Sequence, residues 1–116
     1  MSIAHVAFAM YPVTDMKRAV AFYGDVLGLQ KSGLDGDHWV EFDVAGTTFG
    51  VGDFEQVGKA GTAQSLALEV RDLGAYRAEL VKRGVEVTEP HALANCTIAL
   101  VRDPDGNQIW LHERKN

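Results

Sequence analysis

Cysteine is almost absent from this sequence. Cys96 is the only one, so no internal disulfide and no cysteine-rich zinc site is available, which fits a reducing compartment. In its half-apolar segment Cys96 reads as an inert core residue. Positive charge is also scarce: 11 Lys and Arg stand against 16 Asp and Glu, for a formal charge of -5, and no basic run occurs. That balance gives no electrostatic reason to approach nucleic acid or an anionic membrane. No apolar window reaches the length of a membrane span. The opening MSIAHVAFAMYPV has no basic residue ahead of its apolar stretch and soon meets Pro12, so it reads as a strand rather than a secretion signal. A soluble, cytoplasmic protein is the expectation.

The 116 residues, 47% of them hydrophobic, suffice for one ordinary globular domain. In VTDMKRAVAFYGDVLGL, Asp15 or Thr14 is placed to cap a helix. Met16, Ala19, Val20, Tyr23, Val26 and Leu27 then form one apolar face, and Gly28 supplies the left-handed stop. DHWVEFDVAG and TTFGVGDF alternate like strands around a turn at Ala45-Gly46. The grammar repeats in SLALEVRDLGAYRAELVKRGVEV, where Asp72 caps, Leu73, Tyr76 and Leu80 make the stripe, and Gly84 ends the helix. Two strands joined by Asp-Pro-Asp-Gly close the chain in TIALVRDPDGNQIWLH. From cap to cap the offset is 57 residues (72 minus 15), close to half the chain, which marks an internal duplication. The expected division is a first module over about 1–57, a linker over 58–64 and a second module over about 65–116, all within one domain. One helix covers only one face of each small sheet, so two such units side by side would enclose a concave sheet.

YPVTDMKRAVAFYGDVLGL and DPDGNQIWLHE, at the two ends of a duplicated βαβββ unit, resemble the vicinal oxygen chelate superfamily of glyoxalases, extradiol dioxygenases and bleomycin-resistance proteins. The resemblance spans essentially the whole chain. It implies an α+β fold in which two βαβββ modules form a concave mixed sheet with helices on its outer face. It also implies a homodimer, since members pair units between chains, and two small sheets alone leave open strand edges. The fold hosts unrelated activities, so function has to come from the site.

Metal enzymes resembling this chain present four His or Glu ligands from the first and last strands of each unit. Carried over to this sequence, those places are Phe8, five residues before Val13; Ser65, five before Val70; Trp110, four after Gly106; and Gly50. Phe has no lone pair, Gly no side chain, Trp only an N–H donor, and Ser a neutral hydroxyl that is a poor lone ligand for a divalent ion. No metal and no cofactor is therefore expected. Strand alternation adds neighbours on the same face: Met10, Trp39, Glu41, Thr48, Glu69 and His112. The expected ligand-binding set is thus Phe8, Met10, Trp39, Glu41, Thr48, Gly50, Ser65, Glu69, Trp110 and His112.

The opposite sets, Val40, Phe42, Val44 and Leu66, Leu68, Val70, Ile109, Leu111, read as helix-covered core. His5 reads as structural, and His38 and His91 as loop residues. Ser65 and Cys96 have no identified base partner, so nucleophilic catalysis has little support. An aromatic face of mixed polarity suits a planar or partly apolar small molecule, and the expected function is its metal-independent binding, in the manner of bleomycin-resistance proteins. The expectation is against a metal-dependent glyoxalase. Three alternatives stand beside it: a lyase, isomerase or dioxygenase with a non-standard metal site, built for instance on Glu41, Glu69 and His112; an enzyme using Glu69 or His112 as a general base; and a structural dimer with a collapsed face. Neither nucleic acid nor membrane is an expected partner.

Overall fold

A computed structural model of the chain describes residues 2–115 and divides it into two compact units, one ending at Ala60 and the other starting at Gly61. Each unit is a βαβββ module with a four-stranded mixed sheet.

In the first unit, β1 (Ala9–Pro12) is followed by α1 (Met16–Val20), and then by β2 (Gln30–Asp35), β3 (Trp39–Val44) and β4 (Thr47–Gly52). The sheet order is β1-β4-β3-β2, with β1 parallel to β4 and the other pairs antiparallel. Asp15 caps α1 by accepting from the Arg18 amide at 3.1 Å. From Ala21 to Val26 the helix widens into π geometry, and Gly28 then turns left-handed at φ 88°. The widening carries Phe22 into the core beside Tyr23, which the 3.6-residue pattern does not anticipate. The β3–β4 turn needs two residues at positive φ, supplied by Ala45 (50°) and Gly46 (95°), and Asp43 accepts from the Gly46 amide. Val40 and Phe42 are buried on the helix side as expected, whereas Val44 is half-buried. This core is aromatic: Tyr23 packs on Phe49 at 5.2 Å, and Phe49 on Tyr11 at 5.4 Å.

The second unit runs β5 (Leu66–Glu69), α2 (Leu73–Lys82), β6 (His91–Ala92), β7 (Cys96–Arg102) and β8 (Gln108–Arg114), with sheet order β5-β8-β7-β6. Asp72 caps α2 by accepting from the Ala75 amide, and Gly84 closes it at φ 86°. Here the core is aliphatic, built on Leu68, Leu73, Leu80, Val101, Ile109 and Leu111. Tyr76, Leu66 and Val70 are half-buried. Cys96 is half-buried at the start of β7 rather than in the core, and His91 lies in the short β6 rather than in a loop. His5 is exposed ahead of β1.

The Asp103–Asn107 turn carries the polar centre of this unit. Asn107 is fully buried; its Oδ1 accepts from the amides of Gly61 (2.9 Å) and Ala63 (3.2 Å), and its Nδ2 donates to Asp103 Oδ2 (2.8 Å). Asp103 Oδ1 in turn accepts from the amides of Asp105 and Asn107, both at 2.9 Å. The Gln108 amide donates to the Ala63 carbonyl, so residues 61–63 are stitched to the turn before β8. Asn107→Ala removes the acceptor of two backbone amides and the donor to a buried carboxylate. The expected destabilisation is about 2–4 kcal/mol, read from chemical denaturation at unchanged m-value.

Candidate functional site

In the first unit the expected residues gather around Trp39. Met10, Gly50 and Glu41 lie in register across β1, β4 and β3, and Trp39 pairs with Gly52. Residues opposite one another share a face, so these four positions and Trp39 lie on the side away from Val40 and Phe42. The indole lies over β4: a Cβ at Gly50 would fall 2.3 Å from Trp39 Cζ2, and one at Gly52 would fall 2.9 Å from Trp39 Cε3. Gly50, expected to line the face itself, is therefore covered by the Trp39 ring. Phe8, just before β1, meets the indole edge-on at 5.4 Å. Phe54 tilts against it at 6.1 Å, a contact that sequence reading missed although Gly50 and Gly52 mark a close approach. Trp39 Nε1 donates to Glu41 Oε2 at 3.0 Å, so the indole's only donor is used and its plane is held. Thr48 is half-buried one alternation further along β4, in register with Asp43. At the far end of this face His38 Nδ1 meets Asp53 Oδ1 at 2.9 Å.

In the second unit the parallel pairing of β5 with β8 places Ala67 beside Trp110 and Glu69 beside His112. On β7, Leu100 and Ile98 face the same two positions. Trp110 is half-buried, and its Nε1 donates to the Gln64 carbonyl at 3.1 Å. His112 Nδ1 lies 2.5 Å from Glu69 Oε1, while Glu69 Oε2 accepts from the Arg114 amide at 2.7 Å. The Arg114 amide first, and the His112 contact second, hold the Glu69 carboxyl below the ordinary carboxylate range. Ser65 is exposed immediately before β5 and joins neither the Trp110 contact nor the Glu69–His112 pair.

The four places that carry metal in resembling enzymes are filled by groups that do not fit an ion. Phe8 and Trp110 present rings, the Trp110 N–H is committed to Gln64, Gly50 lies under an indole, and Ser65 is a lone hydroxyl. Among the described residues no three His, Cys, Asp or Glu side chains come together in a metal-holding group. No metal-dependent step follows from these residues. A separate groove of about 780 Å³ opens in the first unit between α1 and β2, with Val40 in its wall. It lies on the helix side of the sheet and is wide open, with scattered Lys and Asp side chains rather than converging polar groups.

The sequence matches the Glyoxalase/Bleomycin resistance protein/Dioxygenase superfamily over residues 2–111, and the chain belongs to that family. The chain is 31% identical to the antibiotic-binding protein TnmS3 of a Streptomyces species, with a TM-score of 0.87 over 99% of both chains. It is equally 31% identical to a superfamily member of Sphaerobacter thermophilus, with a TM-score of 0.83 over 97% of this chain and 98% of that one. A lactoylglutathione lyase of Agrobacterium tumefaciens shares the fold at 18% identity, with a TM-score of 0.81 over 97% of this chain and 95% of that one. No curated protein matches the chain significantly. No helix among the described residues is long and apolar enough to cross a membrane.

A methyl group at Gly50 has nowhere to go unless the Trp39 ring leaves. Gly50→Ala is expected to cost about 1–3 kcal/mol and to shift Trp39 emission to the red, measured in a Trp110→Phe background so that one indole reports.

Proposed function

We propose that this chain binds a planar or partly apolar small molecule without a metal ion, using the tryptophan-bearing faces of its two sheets. The observation that carries this reading is the treatment of the two indoles. Each has its N–H satisfied inside the protein, by Glu41 and by Gln64, so each ring is held in place and offers a ligand its π-face and edge. The non-ligating residues at the four metal places and the 31% identity to an antibiotic-binding protein support binding over metal-assisted turnover. Each unit has its own candidate face: Phe8, Met10, Trp39, Glu41 and Thr48 in the first, and Glu69, Trp110 and His112 in the second. Gly50 supports the Trp39 ring from beneath, and Ser65 borders the start of β5.

Titration with 2-naphthol and 2-methoxynaphthalene, followed by calorimetry, tests the reading. Both compounds are expected to bind, with affinity unchanged after treatment with a chelator, and Trp110→Ala is expected to cost about 2–4 kcal/mol of binding if the indole is an anchor. Affinity that disappears with the chelator and returns with zinc, nickel, manganese or iron defeats it. So does a Trp110→Ala variant that binds normally and only melts earlier.

We further propose that the protein works as a homodimer. Among the described residues β1 and β2 stand at the two ends of one sheet order and β5 and β6 at the two ends of the other, and Ile3 and Val6 stand 92% and 71% exposed. Light scattering at micromolar concentration is expected to give twice the chain mass, and a monomer would count against this assembly.

A further inference from the structure

The Glu69–His112 pair has a chemical polarity that the binding reading does not use. Glu69 is an acceptor through both oxygens: Oε2 takes the Arg114 amide, and Oε1 faces His112 Nδ1. A carboxylate held ionised by these contacts has no proton to give, so the hydrogen between the two side chains belongs to Nδ1. In the neutral ring that leaves Nε2 with a lone pair, and no bond to Nε2 is formed within the described residues. His112 is 32% exposed at its side chain, and its cross-strand neighbour Ile98 offers no competing donor. The charged group nearest along β8 on this face is Arg114, whose positive charge acts on Glu69.

Position adds to polarity. His112 and Trp110 are alternate residues of one strand, so their side chains rise from the same face about 7 Å apart. That is about the length of two fused aromatic rings. A planar molecule stacked on Trp110 therefore brings a substituent at its far end to Nε2.

We propose that the Glu69–His112 pair is a hydroxyl-recognising element, selecting planar aromatic ligands that carry a phenolic or enolic O–H over those that carry only a carbonyl or ether oxygen. The proposal rests on the binding role of the Trp110 face. An O–H donates to the oriented Nε2, whereas a carbonyl or ether oxygen sets lone pair against lone pair. A site that has a polar group to satisfy discriminates against the analogue that leaves it unmet. Glu69 is a positioning residue here, and His112 is the group that touches the ligand.

The same naphthalene pair tests this, because the two compounds share a ring and an oxygen and differ in the donor. Calorimetric titration of the full chain is expected to show 2-naphthol binding about tenfold tighter than 2-methoxynaphthalene. In His112→Phe the ratio is expected to fall to within about twofold, because the naphthol loses more affinity than the ether does. Glu69→Ala is expected to reduce the ratio in part, since the ring then loses its fixed tautomer. His112→Ala, at the same partly exposed position, serves if the phenylalanine variant does not fold. A preference that survives in the His112 variants overturns the proposal. Equal affinities in the wild type overturn it while leaving the Trp110 face as a binding surface. Failure of both compounds to bind the wild type overturns the binding reading and this inference together.

Discussion

The side-chain amide of Asn107 is the constraint on which the second unit depends. It is fully buried, and it meets two backbone amides on one side and the Asp103 carboxylate on the other. Neither partner segment, residues 61–63 nor the turn that follows β7, has regular secondary structure to satisfy those groups. A buried amide hydrogen left unbonded costs far more than a made bond contributes, so the two segments are locked together. That lock sets where β5 starts against where β8 starts. The register then follows: Ala67 beside Trp110, Glu69 beside His112, and the Gln64 carbonyl within reach of the Trp110 N–H. A slip of one residue in this parallel pair turns Trp110 into the core and Ile109 to the outside.

The two units solve the same geometric problem with different chemistry. In the first, β4 carries glycine at both positions beneath the indole, and the ring of Trp39 from the neighbouring strand lies down over them. In the second, the corresponding strand carries its own tryptophan, and the neighbour across from it on β5 is the small Ala67. One ring comes from β3 and the other from β8, yet each has a small residue opposite and its N–H tied off. The cores diverge in parallel, aromatic under the first sheet and aliphatic under the second.

Much of this architecture was legible in the sequence. Capping aspartates at Asp15 and Asp72, left-handed glycines at Gly28 and Gly84, and the paired turn residues Ala45-Gly46 are local signals, each needing only its neighbours to be read. Strand alternation separated Val40 and Phe42 from Trp39 and Glu41 for the same reason. The π segment at Ala21–Val26 was not legible, because an extra residue per turn leaves no mark in an apolar pattern that already tolerates both Phe22 and Tyr23. Within the candidate site, the sequence could name residue types for one face, but not how they pair. Whether Glu69 meets His112, or Trp39 covers Gly50, depends on strand register and rotamer, which residues far apart in the chain decide together.

If the proposed binding role holds, rings in place of metal ligands change what a face recognises as well as how tightly it holds it. A divalent ion attracts paired oxygens strongly and polarises them, whatever the rest of the molecule looks like. An indole whose N–H is already committed attracts by area and by the quadrupole of its face, so planarity becomes the first criterion. Oxygen recognition then has to come from single side chains. In the proposed reading that group is, on the first face, the Glu41 carboxylate, bonded through one oxygen to Trp39, and on the second the imidazole of His112, in contact with Glu69. All three are acceptors in their neutral-ring and ionised states, and the chain is acidic overall. On the binding role proposed above, such faces would favour neutral or cationic flat molecules with hydrogens to donate, a different chemical preference from the anionic, vicinal-oxygen intermediates that a metal centre is built to stabilise.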